Sequence, residues 1–393
     1  MPELEEKPSE MGWDPRRAFE VVLGVPATDG NAVRVLRNGD EIFPAMLGAI
    51  KQAQRSVDLL TFVYWTGDIA VEFADALTER ARAGVTVRVL LDALGARRID
   101  EDLVGQMLDA GCDVKWFRPL GDDSKQKLAN RTHRKVLVCD GQVGFTGGVG
   151  IAAEWCGDAR DETEWRDTHF EVRGPAVDGL RSAFLTNWAE TGRPLLGTTD
   201  EQLEPMAAAG DSPVIVLADG DRTGPSATAL ALGLLLDGAE DRVRATTAYF
   251  TPDESMLEAI CGAARRGVKV QLLIPGEHID KDFVRWASEA DYDLLLEAGV
   301  EVCVFEPSML HAKVMTADGR VAVVGSSNIN TRSSSEDDEV LMVVFDPDVV
   351  ATLDSHFDDD LTRSSPVDPA DWAERGILQR AREAVMSKVS DVL

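Results

Sequence analysis

The chain has 393 residues, 44% of them hydrophobic, enough for two packed domains or one internally doubled unit. Its 40 basic and 69 acidic residues leave a formal charge of −29, which disfavours nucleic-acid backbones and anionic surfaces as general partners. No apolar run is long enough for a membrane span, the acidic start MPELEEKPSE lacks the order of an export signal, and five scattered cysteines suit a reducing, cytoplasmic setting better than a disulfide frame or a metal knuckle.

In chain order, FPAMLGAIKQAQ has helical spacing and SVDLLTFVYW follows as a buried strand. IAVEFADALTERARAG reads as a helix ended by Gly84, and VTVRVLLDA as an apolar, β-branched strand. The second half repeats the order: SATALALGLLLDG as helix, DRVRATTAYF as strand, DESMLEAICGAARRG as helix, VKVQLLIP as strand. ARAGVTVRVLL and ARRGVKVQLLI are nearly the same text, and each half closes with a helix, carrying Val177, Leu180, Phe184 and Trp188 in one and Val350, Leu353, Phe357 and Leu361 in the other. The pattern predicts an α/β fold of two related lobes, each a mostly parallel β-sheet flanked by helices, packed about a pseudo-twofold axis. Residues 1–33 read as an N-terminal extension, 34–192 as the first lobe, 193–213 as a linker and 214–363 as the second lobe. Residues 364–393 read as a C-terminal amphipathic helix, with Leu378, Ala381, Val385, Val389 and Val392 on one side and Arg375, Arg380, Arg382 and Lys388 supplying positive charge. Docking on a membrane and docking on the protein are both open for it. The basic pairs Arg97–Arg98, Arg131–Arg134 and Arg265–Arg266 are expected on solvated loops or helix ends.

Two of only five histidines sit in one pattern, His-x-Lys-x4-Asp: His133, Lys135 and Asp140 in HRKVLVCDG, His311, Lys313 and Asp318 in HAKVMTADG. A chance match is on the order of one in 400 per histidine, so two matches at equivalent places in a repeat call for a cause. Residues two apart on extended chain share a face, so each imidazole travels with an ammonium group. If the halves meet at an axis, two imidazoles and two ammonium groups form one pocket suited to a phosphodiester. The lysines would stabilise phosphoryl charge, one imidazole would attack phosphorus, and the other would protonate the leaving oxygen. No metal-ligand spacing is visible and no cofactor is expected.

At these residues the chain resembles the phospholipase D superfamily, whose members carry two such HKD motifs. HRKVLVCDGQVGFTGG and WRDTHFEVRGPAV look most like its cardiolipin-synthase branch, and HAKVMTADGRVAVVGSSNINTRS matches the extended second motif. The resemblance, over roughly residues 34–362, implies a two-lobed fold, a phosphohistidine intermediate at a site between lobes, and phosphatidyl transfer on phospholipids. It gives His133 as the usual nucleophile and His311 as the acid, although the two motifs are chemically equivalent. It also places an acidic residue after each motif to orient that motif's histidine: Asp167 in the first copy, Glu339 in the second. Asp140 and Asp318, before glycines at strand ends, read as turn formers or supporting acids. Gly148, Ser326 and Asn328 are candidates for holding phosphate.

The sequence departs from the family pattern at Gly150, where asparagine is usual, and at Ser334 and Asp337, with Asp338 adding further charge near the phosphate. Tyr64, Trp65, Tyr249 and Phe250 end equivalent strands and could line a substrate channel or pack under helices. Trp155 is a candidate for the pocket mouth, His169 reads as structural, and His278 and His356 have no partner pattern. The expected substrate is a phospholipid, with peripheral contact at the inner membrane face and no nucleic acid. Hydrolysis by water shares the same intermediate and stays open; a phosphodiester nuclease and a non-catalytic binding module are the more distant alternatives. Oligomeric state is not readable.

Overall fold

The computed structural model of the protein describes residues 13–119, 130–193, 205–220 and 226–376, apart from the side chains of residues 334 and 335. The first half supplies β1 (Thr28–Arg37), β2 (Ser56–Thr61), β3 (Thr86–Asp92), β4 (Asp113–Phe117), β5 (Val136–Cys139), β6 (Val143–Gly147) and β7 (Thr168–Arg173). The second supplies β8 (Ser212–Asp219), β9 (Arg242–Thr246), β10 (Phe250–Thr251), β11 (Lys269–Pro275), β12 (Glu301–Phe305), β13 (Val314–Ala317), β14 (Val321–Gly325), β15 (Ile329–Asn330), β16 (Glu339–Val344) and β17 (Ser364–Pro366).

Fifteen of these strands form one sheet in the order β17-β12-β11-β9-β13-β14-β16-β8-β1-β7-β6-β5-β2-β3-β4. Outward from β8 and from β1 the two sides have equivalent orders, so the antiparallel β1·β8 pair marks the local twofold. The α/β class and the two related halves expected from the sequence stand. Parallel order, expected across most of each half, is confined in this sheet to β2·β3·β4 and β9·β11·β12, where helices such as Asp68–Arg82 and Glu254–Arg265 make the crossovers. The remaining pairings are antiparallel, and tight turns join β5 to β6 and β13 to β14.

Those turns explain the motif aspartates. Asp140 and Asp318 have φ of 55° and 53°, a left-handed conformation that Asp tolerates better than most residues. The Asp140 carboxylate accepts the backbone N–H groups of Gln54, Arg55 and Ser56 at 2.7–3.1 Å, tying its turn to the start of β2. Asp318 does the same for Glu240, Asp241 and Arg242 at the start of β9.

Each half has its own core under its helices, and a third core crosses the seam. Phe170, Val172, Leu180 and Phe184 from the first half pack there with Val214, Val340, Met342 and Leu353 from the second. Burying each such side chain stabilises by about 1.5–3 kcal/mol, so the halves are held together by apolar area as well as by the sheet. The N-terminal helix Pro15–Leu23 packs across the seam as well: Phe19 joins the second half's core and meets Phe345 edge-on at 5.8 Å. At the other end, helix Pro369–Ala373 docks Trp372 on Tyr292 at 4.9 Å, and Arg375 pairs with Asp293. The amphipathic stretch expected after residue 376, including Leu378, Arg380, Ala381, Arg382, Val385, Lys388, Val389 and Val392, lies outside the described residues, as does most of the expected linker.

Replacing Asp140 or Asp318 with Ala is expected to cost about 2–3 kcal/mol of stability, since three N–H groups lose a charged acceptor. A urea denaturation midpoint should fall while turnover per folded molecule stays unchanged.

Candidate active site

His133 and Lys135 sit just before β5, and His311 and Lys313 just before β13, so the two motifs enter the sheet at equivalent points on either side of the seam. The segments carrying the histidines pair with the opposite half. Thr132 bridges to Asp338, and the His133 N–H donates to the Asp338 carbonyl at 2.9 Å. Leu310 bridges to Arg166, and the His311 N–H donates to the Arg166 carbonyl at 2.7 Å.

This pairing crosses the carboxylates. His133 Nδ1 lies 3.0 Å from Glu339 Oε1, and His311 Nδ1 lies 2.8 Å from Asp167 Oδ2. Asp167 and Glu339 thus hold the imidazole of the other copy, where the family pattern in the sequence implied that each serves its own. Donation from Nδ1–H to the carboxylate leaves Nε2 with its lone pair free, the tautomer a nucleophile or base needs. Lys135 Nζ donates to the His133 carbonyl at 2.7 Å, and Lys313 Nζ to the carbonyl of His311, so each ammonium is anchored beside its own imidazole.

Both carboxylates are buttressed, by different residues. Ser326 Oγ donates to Glu339 and accepts the Val340 N–H at 3.0 Å. Asp167 accepts the Trp155 indole N–H at 2.8 Å and the Thr168 N–H at 2.7 Å. At two of the expected phosphate contacts the backbone N–H is already engaged within the protein. The Gly148 N–H is used by the Thr168 carbonyl and the Ser326 N–H by the Val340 carbonyl. A Cβ at Gly148 would stand 2.3 Å from Asp167 Oδ1, so glycine there allows the carboxylate to approach the chain. At Gly150, Val63 and the Trp155 ring already fill the volume an asparagine would need. Asn328 does reach the site, and its buried Oδ1 has no hydrogen-bond partner among the described residues.

His133, Lys135, His311 and Asn328 line one cavity of about 490 Å³. Trp65 and Tyr249 line it too, as do Phe62 and Trp165, which sequence patterning did not single out. Tyr64 and Phe250, by contrast, are buried in the cores. Trp155, Trp165 and Tyr249 surround His311 at ring distances of 5.2, 5.4 and 6.5 Å, while Phe62 meets His133 edge-on at 5.4 Å. His169, His278 and His356 do not line this cavity. Asp337 bonds Arg332 at 2.8 Å and Asp338 accepts from Asn187, so both added acids are partnered; the Ser334 side chain lies outside the described residues. Arg131 and Arg134 are buried, not solvated. Arg131 holds Asp92, and Arg134 crosses the seam to the Glu339 and Asp219 carbonyls at 3.0 and 2.6 Å. Arg266 is likewise spoken for, donating to the Leu236 carbonyl at 2.7 Å.

Burial lowers both imidazoles below their usual range, His311 furthest, with Lys313 and Lys135 pushing the same way; at His133 Lys135 also lowers, and Glu339 opposes. Burial brings Lys135 down to about 7 and Lys313 to about 8. Glu339 is held at about 2: burial acts upward, but His133, Lys135 and Ser326 together outweigh it. Asp167 is raised by burial, against the pull of Lys313 and Trp155. Burial therefore favours neutral imidazoles and weakly held lysine protons, and an incoming phosphate anion reverses that balance.

Three outcomes follow. Glu339→Gln and Asp167→Asn should each lower turnover about 100-fold or more. In double-mutant cycles His133 should couple to Glu339 and His311 to Asp167, whereas pairing within one half would couple His133 to Asp167. Because burial brings Lys135 and Lys313 to lose protons near pH 7–8, binding a phosphodiester analogue at pH 8.5 should take up protons, measurable by calorimetry in buffers of different ionisation enthalpy.

The lysines' lowered values also set a stability slope. Between about pH 7 and their unfolded value of 10.5 the unfolded chain binds more protons than the folded one, so stability rises with pH across that window.

Comparison with known proteins shows the family and the fold. Residues 46–164 and 234–361 match the family described as cardiolipin synthase, PLD-like domain. Cardiolipin synthase 2 of Bacillus cereus is 32% identical over 364 residues, covering 92% of this chain and 70% of that protein. The cardiolipin synthase of Geobacillus thermodenitrificans is 32% identical over 372 residues, covering 94% of this chain and 74% of its own length. The crystal structure of phosphatidylserine synthase from Haemophilus influenzae shares the fold, with a TM-score of 0.75 at 14% identity over 96% of this chain and 97% of that one. The chain belongs to the cardiolipin synthase, PLD-like domain family.

Proposed function

We propose that this protein transfers a phosphatidyl group from one phospholipid to the hydroxyl of another, as the cardiolipin synthases it resembles are named for doing. The observation that carries the reading is that both imidazoles and Lys135 line one cavity, with Lys313 anchored beside His311 and each imidazole backed by a buried carboxylate. The cavity's charge supports it. Arg97, Arg98, Lys135, Lys281 and Arg332 line it against only Asp280 and Asp337, in a chain whose net charge is −29. Its aromatic walls and its volume suit a partly apolar ligand with an anionic centre.

In the reaction, Nε2 of one histidine attacks phosphorus and forms a P–N bond as the bond to the leaving alcohol breaks. The other histidine, protonated at Nε2 once the phosphate anion is bound, gives that alkoxide its proton. The ammonium groups of Lys135 and Lys313 hold the non-bridging oxygens, whose charge grows in the transition state. The acceptor hydroxyl then attacks the phosphohistidine, its proton passes to the second imidazole, and the P–N bond breaks. We assign Asn328 to the phosphate, through its side-chain amide. Among the described residues no group of His, Cys, Asp and Glu is placed to hold a metal ion. The substrate resides in a membrane, so the reading includes contact with a lipid surface; among the described residues no helix is long and apolar enough to cross one.

Incubation with phosphatidylglycerol should yield cardiolipin and glycerol, resolved by chromatography. Phosphatidic acid as the sole product would make the enzyme a hydrolase, and unchanged lipid would remove the reading. His133→Ala and His311→Ala should each lower turnover by about 1,000-fold or more.

A further inference from the structure

The cavity carries cations that the chemistry just described does not use. Arg98 lies six residues beyond the end of β3, Asp92, and Lys281 six residues beyond the end of β11, Pro275, so the repeat supplies one cation from each half at equivalent loop positions. Both side chains are exposed and both line the cavity that holds the two histidines. Each rests on an aromatic face: the Arg98 guanidinium 4.3 Å from the Trp65 ring centre, and the Lys281 ammonium 4.8 Å from that of Tyr249. Stacking of this kind fixes a cation's position and leaves its hydrogen-bond donors free.

Neither is in an ion pair among the described residues, whereas Arg332, lining the same cavity, is paired with Asp337. The nearby Asp280 is occupied, both its oxygens accepting the Tyr249 hydroxyl at 2.7 and 2.9 Å. Acids outnumber bases 69 to 40 in this chain, so two preorganised cations without carboxylate partners at one opening call for an anion from outside. The phosphorus under attack is already served by Lys135 and Lys313, which lie beside the imidazoles.

We propose that Arg98 and Lys281 form a second anion-binding pair that takes the phosphate of the acceptor lipid and so selects an anionic phospholipid, over water or a neutral alcohol, to attack the phosphohistidine. This rests on the phosphatidyl-transfer reading and adds the two residues that hold the acceptor and favour it over water. The acceptor's phosphate stays intact and only its free hydroxyl reacts: its oxygen bonds to phosphorus, its proton goes to the second imidazole, and the P–N bond breaks.

The test uses short-chain phosphatidylglycerol below its micelle concentration, so that no bilayer is present. The unmodified chain is compared with Arg98→Ala/Lys281→Ala and with the charge-conserving Arg98→Lys/Lys281→Arg. The alanine pair should weaken calorimetric binding of phosphatidylglycerol about tenfold, and shift product from lipid acceptor to water or added ethanol about tenfold. Donor consumption with ethanol as acceptor should stay within about twofold, and the charge-conserving pair should restore the lipid product. A rise in the donor KM with ethanol as acceptor would assign the cations to the donor's phosphate and overturn the proposal. An unchanged product ratio would overturn it while leaving phosphatidyl transfer standing. Weakened binding with no lipid product from any form would keep the anion site and remove the transfer reading instead.

Discussion

Each imidazole of this protein is gripped by a carboxylate that the other half provides. Glu339 reaches His133 and Asp167 reaches His311 across the seam, at 3.0 and 2.8 Å. Neither half therefore contains a working set of groups, although each contains a whole motif. The register of the two halves becomes a chemical constraint, because a shift of about 1 Å would disengage both hydrogen bonds. The structure fixes that register redundantly: by β1 against β8, by the bridges at Thr132 and Arg166, and by Arg134 donating to second-half carbonyls. Arg166 adds an ion pair to the buried Asp360. The shared apolar core beneath these contacts offsets the desolvation of the buried ions, which costs several kcal/mol per charge before pairing.

The twofold is close in strand order and loose in chemistry. Glu339 is supported by a serine hydroxyl, Asp167 by a tryptophan indole. Trp155 also takes up, together with Val63, the space opposite Gly150, so the residue that supports Asp167 contributes as well to the absence of an asparagine there. His311 stands among three aromatic rings and His133 against one. These differences make the two imidazoles unequal, which a reaction with one attacking and one protonating group requires.

Much of this was legible in the sequence, and the limits have physical causes. Helix and strand periodicity together with ARAGVTVRVLL and ARRGVKVQLLI expose the repeat, and two shared histidine settings expose the site residues, because local spacing carries both signals. Asp140 and Asp318 precede glycines, and that pairing of residue types marks a turn by local chemistry alone. What the sequence hides is partnership between distant segments. Nothing near Glu339 tells that it serves residue 133, since that depends on how the halves pack. Arg131 and Arg134 look like a surface basic pair because charge alone does not report burial. Antiparallel order beyond the outer strands is likewise set by the hairpins and the seam. Trp165 and Phe62 belong to the cavity only through tertiary placement.

A single phosphorus centre built from both motifs has a direct signature in the covalent intermediate. Rapid quenching during turnover with a labelled donor, followed by peptide mapping under conditions that preserve phosphohistidine, measures how many phosphatidyl groups each chain carries and on which residue. One shared centre requires no more than one group per chain, on His133 or on His311, and none when either histidine is replaced. Two groups on one chain, one per motif, would mean that the halves act as independent sites and would contradict the crossed arrangement.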